Sequence, residues 1–227
     1  MIFNNLLNHV NNSYIFSKKR IRSLYLRSNI YNRKITPSII GSLEYAPSPN
    51  LLDSLIKYNK KKINIENYSL NEIWDNKNLI EKDYKNLNSF FWLFSLDLKS
   101  SKKDAQNVIL QWIDKNYRYN SKNWEIDIVA KRIIAWTSNS RLVYEDSSAD
   151  YKGKFNGIIK KQINHLISEI ERSEWVDDKI IGCAAIILTG LSYKDKDRYL
   201  KTGLNLLRKL VKFSFNNDGF PKSRSIR

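Results

Sequence analysis

Apolar residues recur along this chain mainly three or four positions apart, the spacing of a helix with one buried face. The clearest stripe is Ile158, Ile159, Ile163, Leu166, Ile167 and Ile170. Leu200, Leu204, Leu207 and Val211 predict another helix, with Lys201, Arg208 and Lys212 turned away from its apolar side. Between them Ile180 to Leu191, IIGCAAIILTGL, is apolar all round and reads as a core helix. It is far shorter than the roughly 20 residues needed to cross a bilayer. Upstream, Ala105, Val108, Ile109, Trp112 and Ile113 mark a helix opened by Asp104, where negative charge suits the N-terminus. Ile126, Val129, Ile133, Ile134 and Trp136 mark the next, with Asn123 as expected N-cap. Phe90, Phe91, Leu93, Phe94 and Leu98 predict one more.

The first segment, Leu6 to Ile30, also has a helical rhythm, with basic residues between its apolar ones. Thr36 to Asn50 holds three of the four prolines, and its APSPN stretch cannot continue a helix. Leu51 to Asn88 is mixed in pattern and reads as irregular. Asn216-Asn217-Asp218-Gly219 is a helix stop, in which Gly219 can take the left-handed conformation. Connections between the later helices are short, so neighbours should run antiparallel, and no fixed-period repeat is visible. The expectation is an all-α protein. Residues 1–50 form a basic N-terminal helix and a proline-containing linker, and residues 51–227 a stack or ring of helical hairpins.

Composition narrows the chemistry. Only 7 Gly and 4 Pro among 227 residues argue against a turn-rich β-sandwich or barrel. The single Cys183 excludes a disulfide framework and a cysteine zinc cluster, and His9 and His165 have no metal-site spacing. No metal or cofactor is expected. With 39 basic and 23 acidic residues the net charge is +16, which points to a polyanionic partner. No Asp or Glu occurs before Glu44, whereas Lys18, Lys19, Arg20, Arg22, Arg27, Arg33 and Lys34 all do. That stretch could lie on an anionic membrane as an amphipathic helix, or contact the phosphates of a nucleic acid. Its plainer reading is a solvated or domain-packing helix. Met1 to Ile21 lacks the pattern of a secretory signal, because Asn residues interrupt its apolar stretch and its basic cluster follows rather than precedes.

Four ordered segments resemble the N-terminal part of the heparinase II/III-like family of polysaccharide lyases. They are NSFFWLFSLDLK (Asn88 to Lys99), NWEIDIVAKRIIAWTSNS (Asn123 to Ser140), EWVDDKIIGCAAIILTGLSY (Glu174 to Tyr193) and FNNDGFPKSRSIR (Phe215 to Arg227). The resemblance implies an incomplete (α/α) toroid of antiparallel helical hairpins, normally followed by further toroid helices and a β-sandwich. On that reading the chain is an N-terminal portion of such a protein. It also implies an anionic, uronic-acid polysaccharide as partner, cleaved by β-elimination, and a place in the cell envelope; without a visible export signal the default is the cytoplasm. Such lyases carry an Asn-His pair at the start of the buried helix and a Tyr just past the DG turn. Counted back from that turn, Asp177 and Asp178 stand at the Asn-His positions, and the Tyr position falls beyond Arg227. No catalytic residue is therefore assigned, and β-elimination would require downstream residues.

Four residues are singled out for substrate binding. Arg132, off the Ile133 stripe, could clamp a carboxylate or sulfate with its bidentate fork; otherwise it forms a salt bridge within the helix layer. Trp175, in a loop before a helix, could stack on a sugar ring, while Trp92, Trp112 and Trp136 lie in apolar stripes and belong to the core. Lys222 and Arg224, past Gly219, could bind a polyanion; the alternative is a frayed tail. Asp177 and Asp178 fit the first turn of a helix better than an acid/base pair. His165 reads as structural.

Overall fold

The structure, a computed structural model, describes residues 2–38, 41–44, 74, 79–95, 102–193, 196–216, 218–220 and 222. Among these residues the regular elements are helices: α1 (Ile2–Arg27), α2 (Asn29–Ile35), α3 (Glu81–Ser89), α4 (Lys102–Asn116), α5 (Ile126–Ser138), α6 (Ser140–Val143), α7 (Ala149–Glu169), α8 (Val176–Ser192) and α9 (Lys196–Ser214). Short 3-10 turns cover Phe91–Ser95 and Ile170–Arg172. The described residues are mostly helical, consistent with an all-α protein. No described helix is long and apolar enough to cross a membrane.

α8 and α9 form an antiparallel hairpin. Two close approaches between them depend on glycine: a Cβ on Gly190 would come within 2.4 Å of the Leu200 amide nitrogen, and one on Gly203 within 2.7 Å of Ile187 Cγ1. Residue pairs 190/200 and 203/187 have nearly constant sums, as antiparallel packing requires. α8 packs in turn on α5, α5 on α3 and α7, and α4 on α7. The interior is strongly aromatic. Trp136 at its centre lies 5.0 Å from Phe90, 5.6 Å from Trp112 and 5.4 Å from Phe155, centroid to centroid. Trp92, Trp112 and Trp136 are all buried, as their apolar stripes imply.

Three local expectations need correcting. The run from Phe90 to Leu98 does not form a helix: Phe90 closes α3 in the left-handed conformation (φ 57°), and a 3-10 turn follows, while Leu98 lies outside the described residues. Phe90, Phe91, Trp92 and Leu93 are all buried, so the run has no solvent side, and a tight turn sends four consecutive side chains inward. The left-handed backbone costs about 1–2 kcal/mol, which burial of one Phe ring offsets. Residues 81–89, read as irregular, form α3, whose first turn carries Glu81 and Asp83 at the favourable end of the helix dipole. The N-cap of α5 is Glu125 rather than Asn123, which is drawn into a buried network described below. As expected, Gly219 is left-handed, with φ 79°.

The N-terminal segment joins the same body. Ser28 caps α2, its Oγ accepting from the Tyr31 amide at 3.1 Å. Tyr31 and Ile35 are buried in the shared core. Asn164 Nδ2 donates to the Ile35 carbonyl (2.9 Å), and Lys161 Nζ to Asn32 Oδ1 (2.6 Å). α1 is held by Leu26, by Tyr25 edge-on to Tyr31 and by two ion pairs: Arg22 Nε donates to Glu169 (3.1 Å) and Lys19 to Glu174 (3.2 Å).

Candidate functional site

Arg132 projects from the middle of α5 into the core and has no exposed surface. Its Nη1 donates to the Asn88 carbonyl (2.8 Å), Nη2 to the Asn123 carbonyl (2.9 Å) and Nε to Gln162 Oε1 (3.3 Å). The guanidinium lies 4.0 Å from the ring centroid of Trp112, whose Nε1 donates to Asn88 Oδ1 at 2.9 Å. Asn123 also accepts from the Tyr84 hydroxyl and donates to Asn116. Burial works against the charge on Arg132, and two carbonyl dipoles and an indole face offset it. This fork ties α3, the 120–124 turn, α5 and α7 together. It presents nothing to a ligand, and its three hydrogen bonds go to carbonyl and amide oxygens, so neither the clamp nor the salt bridge expected from sequence describes it.

His165 is equally enclosed. Its Nε2 faces the Trp124 carbonyl at 3.0 Å, which can only accept, so that nitrogen carries the proton. Nδ1 then accepts from the Tyr31 hydroxyl at 2.8 Å. Burial, aided by Arg132 and Arg22, pulls its pKa down to about 4 against the opposing pull of Glu169, and burial pushes the Tyr31 hydroxyl well above its ordinary value. The imidazole is a neutral tie between α2, α7 and the 120–124 turn.

Trp175 is placed differently. It occupies the N-cap position of α8 with extended backbone, its amide donates to Ser173 Oγ (3.3 Å), and its side chain is 43% exposed. Lys179 follows one helical turn later, its amide donating to the Trp175 carbonyl at 3.3 Å, so both side chains share one flank of the helix. Lys179 borders a groove of about 290 Å³ between the 170–172 turn, α8 and α9. Ile170, Cys183, Leu206, Leu210 and Phe213 make its apolar part, and Lys179, Lys209, Glu171 and Ser214 its polar part. Lys209 Nζ is paired with Glu171 at 2.6 Å, which holds that carboxyl below the usual range. Burial pushes the Cys183 thiol up to about 11. Neither group is poised to take a proton near neutral pH.

Lys222 is exposed beyond Gly219, where its Nζ donates to the Lys212 carbonyl at 3.3 Å and its amide to the Ser214 carbonyl at 2.8 Å. This folds the tail back on the end of α9, beside the groove. Arg224 lies outside the described residues. Asp177 and Asp178 stand in the first turn of α8, where Asp178 accepts from Ser173 Oγ at 3.2 Å. No group of three or more His, Cys, Asp or Glu able to hold a metal occurs among the described residues. Of the four residues chosen from sequence, the structure thus brings Trp175 and Lys222 to one end of the α8–α9 hairpin and encloses Arg132 elsewhere. Lys179 and Lys209 were missed. The spacing Trp-x-x-x-Lys at the start of α8 could have given the first; the second emerges only from hairpin register.

Family models, curated proteins and solved structures were all compared with this chain, and no match was found.

Proposed function

We propose that this chain is a helical module of the heparinase II/III type that binds anionic, uronic-acid polysaccharide at the end of the α8–α9 hairpin. The observation that carries the reading is an exposed indole, Trp175, one helical turn from Lys179 at the edge of a groove that also displays Lys209. An aromatic face beside cations is what an acidic sugar needs: the ring's C–H face stacks, and the carboxylate is met by an ammonium. A volume of about 290 Å³ is at the small end for ligand pockets, which run about 300–1,000 Å³, and suits one sugar unit of a longer chain lying across the rim. The hairpin packed against α5 is compatible with the incomplete (α/α) toroid implied by the resemblance of the four ordered segments.

The module binds rather than cleaves. β-Elimination needs a base of matched pKa at the C5 proton and donors for the developing charge. The groove offers a lysine-paired carboxylate, a thiol that stays protonated and two ammonium groups. Calorimetric titration with heparan sulfate and alginate, against neutral dextran, tests the reading. Binding to the acidic polymers alone is expected, weakened at least about tenfold by Trp175→Ala or Lys179→Ala. Equal binding to dextran, or unchanged binding by both variants, overturns it. Absorbance of unsaturated uronate, appearing with this chain alone, overturns the claim that it does not cleave.

A further inference from the structure

Near its C-terminal end α1 meets the body through Lys19, Arg22, Tyr25 and Leu26. Lys19 and Arg22 pair with Glu174 and Glu169, and the buried Leu26 lies on the same flank. Ile21 and Leu24 each stand two residues beyond one of these contacts, about 200° round the helix. They point away from the body, 68% and 63% exposed, and Tyr14, in register with them, is 65% exposed. Every side chain from Ser13 to Ile21 is exposed. A helix on a globular protein normally turns its apolar residues inward; here Tyr14, Ile21 and Leu24 face outward, and Ile15 and Phe16, on the flank of Lys19, are exposed as well. Lys18 and Arg20 fall on the two edges of the face of Tyr14, Ile21 and Leu24, with Lys18 Nζ 5.9 Å from the Tyr14 ring centroid.

We infer that the outward face of α1 docks on an anionic lipid bilayer, lying in the headgroup plane with Tyr14, Ile21 and Leu24 inserted and Lys18 and Arg20 reaching lipid phosphates. This inference is independent of the sugar-binding reading. An apolar face edged by basic residues is the pattern of interfacial helices, whose long cationic side chains run along the apolar surface and keep their charge at the phosphates. A nucleic acid backbone would attract the cations but leave three large apolar side chains uncovered. A second copy would set Lys18 and Arg20 against their own counterparts, with no acid before Glu44 to relieve them. A partner helix wants an apolar residue at each seam position, whereas Ser17 interrupts this one and Tyr14 carries a hydroxyl. The headgroup region accepts both.

The test is co-sedimentation of the full chain with vesicles of phosphatidylcholine alone or mixed with phosphatidylglycerol, at low and high salt. Binding to the mixed vesicles is expected, lost at high salt and reduced at least about tenfold by Ile21→Glu/Leu24→Glu and by Lys18→Ala/Arg20→Ala. Ile80→Glu, at an exposed site away from α1, should bind like the parent protein. Should the glutamate pair disturb the fold by circular dichroism, the alanine pair carries the test. Absence of binding to the mixed vesicles, equal binding to both vesicle types, or undiminished binding by the alanine pair overturns the inference. So does a concentration-dependent dimer that the glutamate pair abolishes, which would make the face a protein interface.

Discussion

Arg132 against Trp112 and Lys179 one turn from Trp175 combine the same chemistry, a cation and an indole, in opposite surroundings. At Arg132 each guanidinium nitrogen donates to a carbonyl or an amide oxygen, and the side chain has no exposed surface. At Lys179 the indole is partly exposed and the ammonium borders a groove. The first pair fixes how four segments meet, and the second is the one that the proposed reading gives to a ligand. Residue type therefore does not separate the two settings; the degree of enclosure does.

The sharpest way to break that contrast is at Arg132. Arg132→Met removes three hydrogen bonds and leaves the carbonyls of Asn88 and Asn123 buried without that donor, so a loss of about 3–5 kcal/mol is expected in urea unfolding. Arg132→Lys should recover little, because one ammonium cannot reach three acceptors in different directions. A loss below about 1 kcal/mol would place Arg132 outside the scaffold.

His165 gives the next largest effect, through pH. Its pKa is about 4 in the folded protein and near 6.5 when unfolded. Above pH 6.5 both states are neutral and the group contributes nothing. As pH falls from 6.5 toward 4 the unfolded chain takes up a proton that the folded one refuses, so stability declines. Below 4 both are charged and the loss is complete, about 3 kcal/mol. The measurement is the difference between parent and His165→Gln over that range, since carboxylates that titrate in both proteins cancel. Gln can still accept from Tyr31 and donate to Trp124. Parallel curves would mean that the ring is not held neutral.

Much of the fold was legible because periodicity is local. The isoleucine stripe of α7, the apolar run of α8 and the leucines of α9 announce helices whatever surrounds them. Phe90 and Asn123 were misread for the opposite reason. Whether a run of aromatics bends inward, or an Asn caps the next helix, depends on partners far along the chain: Trp136 for the first, Tyr84 and Asn116 for the second. The same holds for the sites. The exposure of Trp175 was legible from its place in a loop before an apolar run. The burial of Arg132 and the outward apolar residues of α1 were not, since neither is decided within a helical turn.

The smallest expected change in stability belongs to the groove, and its smallness is the point. Lys209 and Glu171 form an exposed pair, with side chains 60% and 57% accessible. Such pairs contribute about 0–1 kcal/mol, because solvent screens the attraction and two long side chains lose freedom in forming it. Trp175 is not among the buried core residues, so Trp175→Ala should cost no more than about 1 kcal/mol. Lys209→Ala and Trp175→Ala are therefore expected to melt within a few degrees of the parent protein while losing affinity for acidic polysaccharide. That combination would separate the groove from Arg132 by function as well as by geometry. If either variant instead unfolded as readily as Arg132→Met, the α8–α9 end would prove to be scaffold too, and the contrast between the two cation–indole pairs would collapse.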